Sequence, residues 1–132
     1  MSRPRDQTVI LIADDRASSR ELLRTVLQRA GYEVLEAEDG EQALAQARVG
    51  NPDLVLLDLQ MPGLDGFGVL AELRGDPRFR DLPIVALTAS AMRGDREKIL
   101  EAGFTEYLAK PASPETLRET VARLLRPGGA RT

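Results

Sequence analysis

Five times along this chain a short, apolar, β-rich run is followed by a longer segment of helical period, and this alternation constrains the fold more than any other feature. It demands an α/β architecture with a parallel sheet, because parallel neighbours need a crossover long enough to hold a helix. "TVILIA" (Thr8 to Ala13) is the first expected strand. "SRELLRTVLQRAG" is the first helix, with Leu22, Leu23, Val26, Leu27 and Ala30 on one stripe and Gly31 ending it. "EVLEA" (Glu33 to Ala37) is the second strand, and "DGEQALAQARVGN" opens on an Asp-Gly turn into the second helix. "LVLLD" is the third strand, followed by a short helix over Phe67 to Leu73 that ends at Gly75. A polar, Pro-punctuated connection leads to "PIVALTA" (Pro83 to Ala89) and a helix from Met92 to Ala102. "EYLAK" (Glu106 to Lys110) is the fifth strand, and "SPETLRETVARLL" the last helix, with Ser113 as N-cap and Pro114 at the first helical position.

A chain of 132 residues is sized for one domain, which can bury roughly two-thirds of its unfolded surface without disulfides or a structural metal. Residues 1–7 and 127–132 read as tails, the second of them disordered, around a domain over 8–126. The absence of Cys and His excludes thiolate metal sites, Cys nucleophiles, His triads and imidazole zinc sites. A net charge of -3 gives no basic footprint for nucleic acid. "VILIA" is too short for a signal-peptide core or a membrane span, so a soluble, cytoplasmic protein is expected.

Ligands of an open parallel sheet bind beyond the carboxyl ends of the strands. The first strand is followed there by Asp14 and Asp15, the third ends in Asp58, the fourth in Thr88, and the fifth in Lys110. Each has a plain structural explanation. The Asp pair could cap the first helix, although "SSRE" (Ser18 to Glu21) already supplies a capping box; Asp58 could form a turn, Thr88 is a common strand residue, and Lys110 could be a solvated end. Lys occurs only at 98 and 110 in a chain otherwise rich in Arg, consistent with a need for a compact point charge. Together the residues point to chemistry. Three converging carboxylates repel unless one is protonated or a hard cation sits among them, and an all-oxygen set suits hydrated Mg²⁺. Lys110 and Thr88 could then bind phosphate, with a carboxylate attacking a phosphoryl group.

These motifs, "ILIADD", "LLDLQMPGLDG", "VALTAS" and "YLAKP", resemble in order and separation those of the receiver domain of two-component response regulators, over roughly residues 8 to 126. The resemblance implies a three-layer, doubly wound, flavodoxin-like (βα)5 fold with strand order 2-1-3-4-5, two helices on one face and three on the other. It implies that Asp58 accepts the phosphoryl group, that Asp15 binds Mg²⁺ directly (Mn²⁺ being the alternative), that Asp14 acts through water, and that the backbone carbonyl of Gln60 completes the protein ligands. Lys110 and Thr88 would contact the phosphoryl oxygens, Tyr107 would swing inward on activation, and Gln60 and Ser90 would tune the phosphoryl lifetime. The Lys110–Pro111 bond is expected to be cis. Arg16 departs from many relatives; pointing inward it would weaken Mg²⁺ binding, and solvent exposure is the expectation.

The function implied is a single-domain response regulator, phosphorylated by a histidine kinase or histidine phosphotransfer protein docking on the first helix. It would signal to a protein through the face of helix 4, strand 5 and helix 5. With no output domain, direct control of transcription is not expected, and neither is nucleic-acid or membrane contact. A monomer is expected, with dimerisation on phosphorylation as the alternative; a domain that phosphorylates and dephosphorylates itself is not a conventional enzyme. Two other readings stay open at this point: a phosphate sink or receiver of a hybrid kinase, and a metal-dependent phosphatase or nucleotide-binding module. Against the last stand the missing Gly-rich loop after strand 1 and the missing second acid two residues after Asp58.

Overall fold

Strands β1 (Val9–Ala13), β2 (Glu33–Ala37), β3 (Leu54–Asp58), β4 (Ile84–Thr88) and β5 (Glu106–Ala109) form one sheet, alternating with helices α1 (Ala17–Arg29), α2 (Gly40–Gly50), α3 (Gly66–Arg74), α4 (Arg93–Ala102) and α5 (Pro114–Leu125). The structure is a computed structural model and describes residues 8–89 and 93–125. The expected tails, the tuning position Ser90 and the helix start at Met92 lie outside the described residues. All strand pairs are parallel, in the order β2-β1-β3-β4-β5, as expected.

The apolar runs divide between the two faces by the period-2 rule. Leu11, Ala13, Val55, Leu57, Ile84 and Ala86 join residues of α2, α3 and α4 in one core. Ile10, Ile12, Leu54, Leu56, Val85 and Leu87 join residues of α1 and α5 in the other. The helices therefore divide three and two. Because β1, β3 and β4 are covered on both faces, every residue in them is buried, which explains their unbroken apolar runs; the edge strands β2 and β5 are only partly covered.

Local signals set most boundaries. The side chains of Asp39 and Asp65 cap α2 and α3 by accepting the N–H of Gln42 at 2.8 Å and of Gly68 at 2.9 Å. Ser113 caps α5 through the Thr116 N–H at 3.1 Å, with Pro114 at the first helical position as expected. The chain turns with positive φ at Gly31, after the Ala30 C-cap of α1, and at Gly103, directly after α4.

The structure corrects several expectations. The Ser18–Glu21 capping box does not form: α1 starts at Ala17, its N-cap is Arg16 with no side-chain cap bond, and Ser18 lies inside the helix. Leu22 is 51% exposed and Ala30 is exposed, because only Leu23 and Leu27, with Val26 beside them, reach the sheet. Strand β4 stops at Thr88 and β5 at Ala109, so Lys110 is the first residue of the following loop. A 3-10 turn at Pro77–Phe79 occupies the connection to β4, burying Phe79. Above it, the Arg74 guanidinium donates to the carbonyls of Phe79, Leu82 and Gly103, tying the end of α3 to the loops before β4 and β5. Among the described residues, no helix is long and apolar enough to cross a membrane.

Candidate functional site

Strand order decides which polar strand ends can meet. With β1 and β3 adjacent and Ala13 paired with Leu57, the residues that follow, Asp14 and Asp58, lie side by side at the carboxyl edge. β4 adjoins β3, pairing Leu87 with Asp58, and Thr88 follows. The ladder between β4 and β5 runs one residue past the strand, where the Lys110 N–H donates to the Thr88 carbonyl at 2.8 Å. A cis Lys110–Pro111 bond follows, as expected.

These placements bring together Asp14, Asp15, Asp58, Thr88 and Lys110. Asp14 is fully buried, Asp58 is 6% exposed and Thr88 8%, whereas Asp15 is exposed. One carboxylate oxygen from each Asp lies within 4.8 Å of the others. The Lys110 ammonium bridges two of them, at 2.9 Å from Asp14 Oδ2 and 3.2 Å from Asp58 Oδ2. Asp58 Oδ1 accepts the Gln60 N–H at 3.0 Å, and Asp14 Oδ1 accepts the Arg16 N–H at 2.9 Å. Asp14 thus forms a turn ahead of α1 as well as joining the cluster. Its Oδ2 also accepts the Ser19 hydroxyl, a contact hidden in the sequence because the serine pair read as a capping signal. A groove of about 590 Å³ opens over the cluster between α1 and the loop after β5, lined by Asp15, Arg16, Leu22, Gln60, Lys110 and Pro111 among others.

The two buried acids are pulled in opposite directions. Burial pushes the Asp14 carboxyl up, but the Ser19 hydroxyl, the Arg16 N–H and Lys110 outweigh it and leave its pKa below the ordinary value. For Asp58 burial prevails over the Gln60 N–H and Lys110, and with the nearby charge of Asp14 it leaves the pKa raised. Burial also disfavours the Lys110 cation, yet its carboxylate partners more than compensate and its pKa is raised. In the metal-free protein Asp58 is therefore a strained anion, which a divalent cation would relieve. Three carboxylates, one of them solvent-accessible, match the oxygen-rich, partly hydrated coordination that Mg²⁺ takes, with Mn²⁺ equally served by such donors.

This strain has a consequence for stability. A group whose folded pKa exceeds its unfolded value contributes stability that is fully present below the unfolded pKa and is lost as pH rises through the folded pKa. Asp58→Asn is thus expected to raise the melting temperature of the metal-free protein at neutral pH. The gain should disappear below about pH 3, under the unfolded pKa of about 3.9, where Asp58 is protonated in both states. Thermal scans across this range check it, and a variant no more stable than the wild type at pH 7 would contradict it.

Other expected site residues lie apart from the acids. The Tyr107 ring is half-buried against the core beneath α2, α3 and α4, and its hydroxyl accepts from the Arg96 guanidinium at 3.1 Å. The Arg16 side chain is exposed, as expected. Gln60 contributes its N–H to Asp58, and its side chain is exposed at the groove.

Residues 10–122 match the family model described as "Response regulator receiver domain". The chain is 46% identical over 117 residues to ycf27 of Cyanophora paradoxa, covering 89% of this chain and 48% of that protein, so it spans about half the length of the first curated relatives it matches. It is 36% identical over 116 residues to the polar-differentiation response regulator DivK of Brucella ovis, covering 88% of this chain and 94% of that protein. The receiver domain of the sensor histidine kinase PA1611 of Pseudomonas aeruginosa PAO1, solved with a magnesium ion coordinated in its active-site cleft, superposes with a TM-score of 0.83 at 36% identity, covering 90% of this chain and 98% of that one.

Proposed function

Since the chain belongs to the response regulator receiver domain family, we propose that it accepts a phosphoryl group on Asp58 from a phosphohistidine donor and uses it to switch a protein-binding surface. The observation that carries this reading is the placement of Asp58. It is buried at the tip of β3, next to Asp14 and Asp15, and in contact with Lys110.

Asp15, Asp14 and Asp58 would hold Mg²⁺, with the Gln60 carbonyl as a further oxygen ligand; when bound, the ion neutralises charge on the carboxylates and on the incoming phosphoryl oxygens. An Asp58 carboxylate oxygen attacks phosphorus, and the new C–O–P linkage forms as the P–N bond to the donor imidazole breaks; the electron pair of that bond returns to the imidazole, which leaves as the neutral ring because its other nitrogen already carries a proton. Lys110, already within reach of Asp58, pairs with a phosphoryl oxygen, and the Thr88 hydroxyl bonds to another. Gln60, exposed at the groove, and Ser90 would govern access of the hydrolysing water.

The same contacts supply the switch. Moving an equilibrium from 1:99 to 99:1 takes about 5.5 kcal/mol, and two or three charge-assisted hydrogen bonds made only in the active state, at roughly 1.5–3 kcal/mol each, suffice. Because Thr88 ends β4 and Lys110 directly follows β5, their movement would reach α4, Tyr107 and α5, the face offered to a downstream protein. The donor would dock on α1 beside the groove, where Leu22 is exposed.

Mass spectrometry of the intact protein after incubation with Mg²⁺ and a small phosphodonor tests the assignment. One added phosphoryl group is expected, absent in Asp58→Ala; no addition, or addition that survives Asp58→Ala, rules it out. Beryllofluoride should also shift NMR signals around Thr88 and Tyr107, and changes confined to the neighbours of Asp58 would count against the switch. A second reading, a receiver within a histidine-kinase phosphorelay, is favoured by the likeness to the PA1611 domain. Return of the phosphoryl group to a histidine phosphotransfer protein faster than its hydrolysis would support it.

A further inference from the structure

Of the three acids, Asp15 alone is exposed, and among the described residues its carboxylate makes no hydrogen bond or ion pair. Its position must therefore come from the backbone. Asp14 is tied down at its N–H, which donates to the Ala37 carbonyl at 3.1 Å. Among the described residues, the Arg20 guanidinium holds the peptide joining Asp14 to Asp15: its Nη1 donates to the Asp14 carbonyl at 2.8 Å. The Arg20 side chain is only 14% exposed, and its Nε lies 3.4 Å from Glu36 Oε1 on β2. The other Glu36 oxygen accepts from Arg24, one turn further along α1, at 2.8 Å. Glu36 stands beside Ile12 in the ladder, next to the pair Ala13–Ala37. One guanidinium thus joins α1 and β2 to the peptide that enters Asp15, while the peptide that leaves it is held by Asp14 Oδ1, which accepts the Arg16 N–H at 2.9 Å.

From this geometry we infer that Arg20 is a positioning residue for Mg²⁺: it orients the Asp14–Asp15 peptide, with Glu36 holding its guanidinium, and so sets the affinity of the acid cluster for the cation. The inference rests on the metal-binding reading of the cluster given above. Groups that orient metal ligands without touching the metal affect affinity by about 10- to 100-fold when removed. Charge alone predicts the opposite sign here, since deleting a cation near three carboxylates strengthens their hold on Mg²⁺. The sign of the effect therefore separates positioning from electrostatics.

The experiment is an NMR titration of the full chain with Mg²⁺, following amide signals near Asp15 and Asp58, with thermal unfolding in the absence of metal recorded for each variant. Arg20→Met is expected to raise the dissociation constant about tenfold, and Arg20→Lys, which can still donate to the Asp14 carbonyl, to recover part of the loss. Arg24→Met removes the same charge and touches Glu36 but not the peptide; its dissociation constant should stay within about twofold of the wild type. Unchanged or tighter binding in Arg20→Met overturns the inference, whatever its melting temperature, and so does an equal weakening in Arg24→Met. If the wild type itself binds no Mg²⁺, the metal-binding reading fails and the inference falls with it. If the wild type binds and Arg20→Met binds equally well, the inference alone fails.

Discussion

Gly66→Ala is expected to destabilise the protein by about 3 kcal/mol, although Ala is the better helix former by about 1 kcal/mol. A Cβ at this position would stand 2.6 Å from the carbonyl oxygen of Asp58 and 2.8 Å from Leu59 Cα. Both are backbone atoms and cannot rotate away. Gly66 is the first residue of α3, and its N–H donates to the Leu59 carbonyl at 3.2 Å, so the helix begins flush against the end of β3. The added methyl group must push that strand end and the functional site with it. Denaturant unfolding should therefore show the loss, and phosphorylation by a small donor should slow in parallel. Gly75→Ala is the control: its Cβ would meet nothing nearer than 3.4 Å, and its φ of -78° suits any residue. That variant should be neutral or slightly more stable, and a Gly66→Ala protein as stable as Gly75→Ala would show that the close approach carries no cost.

Removing the cation of the site should have a comparable effect. Lys110→Met is expected to lose ~2–3 kcal/mol of stability at pH 7 without metal, less than for a fully buried pair because Lys110 keeps 20% of its side-chain exposure. The variant leaves two buried carboxylates facing each other. Asp14, held below its ordinary pKa in part by Lys110, contributes stability that is present above the unfolded pKa and lost as pH falls through the folded one. The gap between wild type and variant should accordingly narrow in acid. Millimolar Mg²⁺ should also recover part of the deficit, since a ligand bound only by the folded state stabilises it by mass action. Chemical denaturation at several pH values, with and without Mg²⁺, checks both trends. A deficit independent of pH and Mg²⁺ would mean that Lys110 serves the fold through packing alone.

Much of the architecture was legible because its signals are local. The unbroken runs at Val9, Leu54 and Ile84 mark strands covered on both faces, the Asp39–Gly40 turn marks the entry to α2, and Ser113 announces α5 through a bond spanning three residues. The start of α1 misled for the same reason that the others succeeded. Ser18 to Glu21 has the form of a capping box, but a buried acid four residues upstream of Ser18 competes for this stretch: Asp14 takes the Arg16 N–H and the Ser19 hydroxyl. Leu22 matched the apolar stripe, yet the contact of α1 with the sheet is narrower than the stripe. The carbonyls gathered by Arg74, from the loops before β4 and β5, left no trace in the sequence, because main-chain acceptors carry no residue identity.

By itself the sequence determined the order and type of the elements and which residues stand at the strand tips, since these follow from periodicity, capping chemistry and the identity of single residues. The family's motifs added which tips belong together. Only the tertiary structure decided how they meet: that Lys110 takes the place of a cation between Asp14 and Asp58, that burial raises one acid while hydrogen bonds lower the other, and that Arg20 holds the peptide leading to Asp15. The physical reason is range. Propensity and periodicity act over a few residues along the chain, whereas Coulomb forces, desolvation and close approach act through space, and here they join residues as far apart as Asp14 and Lys110.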